Sequence, residues 1–94
     1  MSHARQGASM TIWKYAIEII PNRQELEMPT GAQIIHCRDD TEGWLNVWAI
    51  VEPENPKRPV GIYVRGTGHP LPDARYVGTA FQGVYVWHVF QESN

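Results

Sequence analysis

Apolar residues recur at every second position along most of this chain, and that period constrains its fold more than any other feature. The clearest case is Thr11–Ile20, where one side carries Trp13, Tyr15, Ile17 and Ile19. A period of two is typical of a β-strand with one buried face. Turn-forming residues interrupt the pattern about every 8–12 positions, and no segment has helical periodicity. The sequence therefore predicts an all-β, mainly antiparallel domain, folded as a compact sandwich or a partly open barrel.

Seven strands are predicted in this domain. In chain order they are Thr11–Ile20, Gln24–Met28, Ala32–Arg38, Trp44–Val51, Val60–Arg65, Arg75–Phe81 and Val84–Gln91. Three prolines fall in the segment 53–59, and because proline cannot donate to a β ladder we expect that segment to be an exposed loop. Residues 1–9 have no periodicity and are expected to form a flexible leader before a single domain of residues 10–94.

Length and charge exclude several classes of protein. With 94 residues the chain has room for one domain, and its net charge of −2 argues against binding to long DNA or RNA. No apolar run approaches the roughly 18 residues that a membrane span requires, and no signal-peptide pattern is present. Cys37 is the single cysteine, which excludes a disulfide framework. We expect a cytoplasmic protein without membrane or long nucleic-acid partners.

Two predicted strands, Trp44–Val51 and Val84–Gln91, are apolar on both faces. Such strands must be covered on both sides, and a chain of this size has few elements to cover them. We therefore expect self-association into a homodimer or a homotetramer, which would also enlarge a small core.

The most informative local run reads Arg-Gly-Thr-Gly-His-Pro and begins at Arg65. Gly66 and Gly68 let backbone N–H groups approach an anion, and Thr67 adds a hydroxyl donor. Arg65 has a planar fork that matches phosphate oxygens, and His69 can donate a further hydrogen bond. The same run can also be a plain loop whose glycines adopt positive φ. It is neither a dinucleotide-binding fingerprint nor a Walker loop.

No set of residues predicts catalysis, a metal site or a cofactor. His36 and Cys37 are adjacent, so in a strand they point to opposite faces and cannot share an ion. Cys37 lies in an apolar strand, where a buried, inert thiol is the usual outcome. The serines lie near the termini, at positions 2, 9 and 93, which argues against serine hydrolase chemistry. We therefore expect a non-enzymatic protein.

Flat aromatic faces near a basic loop suit the stacking of nucleobases. The chain has four tryptophans and four tyrosines, of which most must pack in the core and one or two can serve a ligand. The expected ligand-binding residues are Trp13, Lys14, Arg65, Gly66, Thr67, Gly68, His69 and Trp87.

Six segments, in order, resemble a family of small phage-encoded proteins. They are Ile12–Tyr15, Met28–Ala32, Trp48–Pro53, Gly66–Pro70, Tyr76–Thr79 and Val86–Phe90, which read IWKY, MPTGA, WAIVEP, GTGHP, YVGT and VWHVF. Some proteins of that family act as sponges that bind cyclic dinucleotides and so protect the phage from the host defence CBASS. The resemblance covers nearly the whole chain from Met10 to Glu92 and is absent from residues 1–9 and the Asp39–Gly43 loop.

The resemblance implies a binding protein that catalyses no reaction. The protein would be a homo-oligomer in the cytoplasm of the infected host, and it would sequester a signal such as 3′,3′-cGAMP at a subunit interface. A two-fold interface would present each donor twice, once for each phosphate of the ligand.

Two other functions remain open. The apolar strands could serve a protein-binding inhibitor or a virion-accessory module, for which the acidic segment Glu18–Glu54 would suit a basic partner. A phosphodiesterase acting on the same signal would need an acidic or metal partner for His69 or His88 that the sequence does not show.

Overall fold

β-strands are the regular elements of the fold. The structure, a computed structural model, describes residues 10–94, so the predicted leader at residues 1–9 lies outside the described residues. The strands are β1 (Thr11–Glu18), β2 (Gln24–Pro29), β3 (Gln33–Asp39), β4 (Trp44–Val51), β5 (Lys57–Gly66), β6 (Arg75–Gln82) and β7 (Tyr85–Gln91). Nothing in the described part of the chain forms a helix that could cross a membrane.

The seven strands form two sheets. One sheet has three strands in the order β1-β4-β3, and the other has four in the order β2-β5-β7-β6. Every hydrogen-bonded strand pair is antiparallel. The prediction of an all-β, antiparallel sandwich is confirmed, and because the sheets remain separate the fold is not a closed barrel.

The core lies between the two sheets and follows from the period of two. In β4, Leu45, Val47, Ala49 and Val51 are buried and alternate with more exposed residues. The other members of the core cluster are Ile17, Met28, Ala32, Ile34, Cys37, Val60, Ile62, Val64, Ala80 and Val89. Burial of these apolar side chains contributes about 25 cal/mol per Å² removed from water and is the main force that holds the sheets together.

The start of β5 differs from the prediction. β5 begins at Lys57, so Pro59 lies in a strand where the sequence predicted an exposed loop. Pro59 pairs with Glu27 of the edge strand β2, and β7 joins the other side of β5 only from Ile62 onward. At Pro59 one side of β5 therefore has no ladder hydrogen bond to lose, which is the condition under which a sheet tolerates proline.

β3 and β6 run side by side but share no backbone ladder, and side chains join them instead. Buried Gln91, the β7 residue that pairs with Arg75 of β6, accepts a hydrogen bond from Ile34 N at 2.8 Å. Arg75 donates to the carbonyl of Ile34 at 3.0 Å, and Gln82 donates to Asp39 Oδ1 at 3.2 Å near the other end of the strands. These contacts satisfy buried polar groups that a ladder would otherwise pair, so side chains close this side of the sandwich.

The outer faces of β4 and β7 bear on the predicted self-association. On β4, Trp44 is 42% exposed and Ile50 is partly exposed. On β7, Phe90 is only 6% exposed, because Tyr76 packs edge-on against its ring and the loop after β5 lies over that face. The chain itself therefore covers much of β7, while the outer face of β4 is open among residues 10–94. Self-association stays a prediction.

Candidate functional site

The Gly-Thr-Gly-His-Pro run forms a tight turn at the end of β5. His69 N donates to Gly66 O at 3.1 Å, and Gly66 N donates to His69 Nδ1 at 3.2 Å. Gly68 has a φ of 92°, a left-handed conformation that favours glycine. A Cβ on Gly66 would lie 3.0 Å from the His69 ring, so a larger residue there would have to displace the ring that accepts the Gly66 N–H. Because Nδ1 accepts, the proton of a neutral His69 ring lies on Nε2, and that atom can donate to a ligand.

Arg65 joins this turn to the loop between β1 and β2. Its Nε donates to Pro70 O at 3.1 Å, and its Nη1 donates to Pro21 O at 3.3 Å. Its guanidinium stacks over Tyr63, 5.1 Å from the ring centroid. Arg65 is therefore a strut between two loops, and its Nη2 group is the part of the fork that can face a ligand.

A chain of side-chain hydrogen bonds ties the turn to the outer face of the four-stranded sheet. Thr67 Oγ1 lies 2.9 Å from His88 Nε2, and His88 Nδ1 lies 2.9 Å from Thr79 Oγ1. Thr79 Oγ1 also contacts the Tyr76 hydroxyl at 2.5 Å. Each hydroxyl can donate or accept. His88 is therefore held between two threonines and anchors the turn over β6 and β7.

An inner cleft of about 420 Å³ opens beside the turn. Its lining residues are Ile19, Ile20, Pro21, Val64, Arg65, Gly66, His69, Pro70 and Trp87. The Trp87 ring stacks on Tyr85 with centroids 5.8 Å apart, and its Nε1 donates to Gln82 Oε1 at 3.2 Å. The volume falls in the range of roughly 300–1,000 Å³ that is typical of small-molecule sites. The inner cleft thus combines a fixed aromatic wall with the donors of Arg65 and His69.

An outer hollow of about 360 Å³ lies on the other side of the same turn. The buried ring of Phe90 lines it, together with Tyr76 and Leu71, which are 52% and 78% exposed. Arg65 and His69 line the outer hollow as well as the inner cleft, and two further polar residues of the hollow, His88 and Thr67, already bond to each other. The outer hollow therefore shares Arg65 and His69 with the inner cleft and differs from it in lacking Trp87.

The structure brings together six of the eight residues predicted to bind a ligand. Arg65–His69 form the turn, and Trp87 lines the inner cleft. Trp13 instead packs against the core, with Lys57 Nζ 5.8 Å from its ring centroid. Lys57 begins β5 and the turn follows its last residue, so about 30 Å of strand separates the two places. Lys14 points to the outer face of the three-stranded sheet. Within one chain, Trp13 and Lys14 do not join the cleft.

The site also contains residues that the sequence analysis did not assign to a ligand. Ile19–Pro21 form one wall of the inner cleft, and Tyr76 and Phe90 line the outer hollow. His88 anchors the turn. Of these, only His88 had a sequence signal, since it is a polar residue on an apolar strand face.

A cluster of charged side chains holds Tyr63, the residue on which Arg65 stacks. Arg23 donates to both oxygens of Glu92, from Nε at 2.8 Å and from Nη2 at 2.9 Å, and the Tyr63 hydroxyl donates to Glu92 Oε2 at 2.6 Å. Hydrogen bonds from Arg23 and Tyr63 lower the pKa of Glu92 to about 2, and the Glu92 carboxylate raises the pKa of Tyr63. The cluster leaves no room for a side chain at Gly61. It therefore fixes the Tyr63 ring on which Arg65 stacks.

Titratable side chains outside the turn have structural surroundings. Burial raises the pKa of the Cys37 thiol, so the thiol is protonated and weakly nucleophilic. Asp40 Oδ1 accepts hydrogen bonds from Glu42 N at 2.7 Å and Trp44 N at 3.1 Å, and so shapes its own loop. Among residues 10–94, no three His, Cys, Asp or Glu side chains are grouped so that they could hold a metal ion.

Fold and site together define a small all-β sandwich domain with a glycine-rich turn beside an aromatic cleft. The chain belongs to the family described as Domain of unknown function (DUF7352), whose sequence profile matches residues 9–94. Neither the curated proteins nor the solved structures contain a match to the chain.

Proposed function

We propose that this protein binds and sequesters a cyclic dinucleotide defence signal, such as 3′,3′-cGAMP, without converting it. The observation that carries the proposal is the inner cleft, where the Trp87 indole and the turn holding Arg65 and His69 line one space. The resemblance of Gly66–Pro70 and Val86–Phe90 to phage-encoded sponges favours the same function, because these segments supply the turn and the aromatic wall. Such a protein would act in the host cytoplasm during phage infection.

A nucleobase is the part of the ligand that suits the inner cleft. Trp87 offers a flat ring, and Ile20 and Val64 add apolar walls. Stacking on an aromatic side chain contributes about 1–3 kcal/mol per base and tolerates any base, since every base has a π-face. Selectivity among bases would then depend on a donor at the cleft, such as His69 Nε2.

A phosphate of the ligand would lie against the turn. Arg65 Nη2 can donate to a phosphate oxygen while Nε and Nη1 stay on the carbonyls of Pro70 and Pro21. Charge-assisted hydrogen bonds of this kind are about twice as strong as neutral ones. One cleft supplies one such arginine, whereas a cyclic dinucleotide has two phosphates. A two-fold dimer would therefore match the ligand with two clefts.

Calorimetric titration followed by recovery of the ligand tests this function. We expect 3′,3′-cGAMP to bind with one ligand per two protomers and to be released intact when the protein is heat-denatured, as checked by mass spectrometry. Recovery of a linear or hydrolysed product would instead show a phosphodiesterase. Absence of both binding heat and a melting-temperature shift across cyclic di- and trinucleotides would refute the proposal.

A matched pair of variants locates the ligand. Ile20→Trp fills the inner cleft and should abolish binding, while Leu71→Trp adds the same side chain to the outer hollow and should leave binding intact. Loss of binding in Leu71→Trp alone would move the ligand to the outer hollow.

A second candidate function is a protein-binding inhibitor or a virion-accessory module. It is favoured by the tip of the β6–β7 hairpin, where Phe81, Val84 and Tyr85 are 70%, 89% and 59% exposed. Clustered exposed apolar residues often mark a protein interaction site. Phe81→Ser combined with Val84→Ser should release a stoichiometric host or virion protein and leave nucleotide affinity unchanged if this function holds. Unaltered capture by the double variant would exclude the hairpin tip.

A further inference from the structure

The outer side of β1 is a free strand edge. β1 pairs with β4 alone among the described strands. At Glu18 the backbone points away from β4, because Glu18 N donates to Gln24 Oε1 at 2.9 Å and Gln24 Nε2 donates to Glu18 O at 2.7 Å. Backbone groups alternate sides along an antiparallel strand. Those of Ala16 and Lys14 therefore also point to the free edge, where a neighbouring strand could pair with them.

We propose that a second copy of this chain pairs antiparallel along the β1 edge, with the two-fold axis at Ala16. The two copies then form one six-stranded sheet across the dyad. The axis must coincide with a residue, since only then do the buried faces of both copies lie on the same side. Centring the axis on Lys14 would place two lysines opposite each other, and centring it on Tyr15 would place Glu18 opposite Ile12.

The axis at Ala16 gives the complementary arrangement. It places Lys14 of each copy opposite Glu18 of the other on the exposed face, and Tyr15 opposite Ile17 on the buried face. Opposite charges directly across a strand pair stabilise it, and like charges destabilise it. Ala16, at the dyad, has the smallest side chain of the exposed face and allows close approach.

Gln24 shows that the edge accepts a peptide group. A side-chain amide carries the same donor and acceptor as a backbone peptide, and that of Gln24 binds both Glu18 N and Glu18 O. In the dimer, the backbone of Lys14 from the second copy would take the place of the Gln24 amide. The exchange keeps both hydrogen bonds of Glu18.

The same register brings Trp13 to the inner cleft. Trp13 of the second copy lies opposite Ile19, which lines that cleft, at the distance of about 5 Å that separates cross-strand neighbours. Lys57 lies over the Trp13 ring and would come with it. The dimer thus supplies an aromatic face and a cation that a single chain keeps apart from the turn. This step rests on the proposed nucleotide site, whereas the dimer itself does not.

Cysteine cross-linking tests the register. Opposed residues of a hydrogen-bonded pair have Cα atoms about 5.5 Å apart, within disulfide range. Ala16→Cys should therefore form a cross-linked dimer under mild oxidation. Asn46→Cys is the matched control, because Asn46 neighbours Ala16 on the same outer face but lies on β4, away from the edge. The wild type should stay uncross-linked, since its one cysteine is buried.

Charge reversal and molar mass complete the test. Light scattering should give the molar mass of a dimer for the wild type. The dissociation constant of the dimer should be about tenfold higher for Lys14→Glu and should return towards the wild-type value when Lys14→Glu is combined with Glu18→Lys. The dimer would be refuted by a monomer at all concentrations, or by an Ala16→Cys protein that stays uncross-linked under mild oxidation. It would also be refuted if Asn46→Cys cross-linked equally, because that result would indicate face-to-face packing. A confirmed dimer that binds no cyclic dinucleotide would refute the proposed function and leave the dimer standing. Trp13→Ala should lower ligand affinity without changing the molar mass.

Discussion

Replacing Thr67 by valine removes the hydroxyl that holds the glycine-rich turn to His88 and keeps nearly the same side-chain shape. The lost hydrogen bond is 2.9 Å long and solvent-exposed. A hydrogen bond of this kind contributes a net of about 0.5–1.5 kcal/mol. Thr67→Val should therefore raise the population of open turn, and with it the hydrogen-exchange rate of the turn amides, by about 2- to 13-fold.

The control is Thr79→Val, which removes the other hydrogen bond to the same imidazole, also 2.9 Å long, together with the contact to the Tyr76 hydroxyl. Thr79 lies in β6, where its hydroxyl bonds to Tyr76 and His88. Both variants should lower the free energy of unfolding in urea, Thr79→Val by at least as much as Thr67→Val. Only Thr67→Val should speed exchange in residues 66–71, measured by mass spectrometry. Equal exchange in the two variants, or no change in either, would show that the threonine–histidine chain does not hold the turn.

Three further predictions concern the cleft and its support. Arg65→Ala should weaken nucleotide binding by about 1.5–3 kcal/mol, or about 12- to 160-fold by calorimetry, and Arg58→Ala should leave it unchanged. If Arg65→Ala bound the nucleotide as tightly as the wild type, Arg65 would not belong to the site. Trp87→Ala should lower the free energy of unfolding by about 3 kcal/mol. Tyr85→Ala, at an exposed position, should lower it by about 1 kcal/mol or less, and similar losses in the two variants would argue that Trp87 is not packed in the wall of the cleft. Because the folded pKa of Glu92 is lowered from 4.5 to about 2, its stabilising contribution is present above pH 4.5 and is lost as pH falls towards 2. Urea midpoints of Glu92→Gln should therefore fall less than those of the wild type over that interval, and parallel curves would contradict this.

The fold was predictable because each strand carries its own pattern. The alternation in Thr11–Ile20 is a local signal, and burial of one strand face acts on it directly. Pro59 shows where local reasoning fails, since its place in β5 depends on how far β7 extends. Strand order and the contacts between β3 and β6 also depend on distant residues, which no local pattern encodes.

The site was predictable only in part for the same reason. The alternative of a plain loop with glycines at positive φ holds at Gly68 and not at Gly66, and the approach of an anion to the turn stays a prediction. The partners of Arg65 are carbonyls from two different loops, and neither could be inferred from the run itself. The alternation already places Trp13 and Lys14 on opposite faces of a strand, but the neighbours of that strand, which set Trp13 against the core, are not specified by the sequence.

The junction of β3 and β6 has a consequence for how this family can vary. A backbone ladder accepts almost any residue, because every residue supplies the same peptide groups. This junction depends on the amide of Gln91, the guanidinium of Arg75 and the pairing of Gln82 with Asp39. Related chains that keep the sandwich should therefore change these positions together, while neighbouring strand positions drift independently.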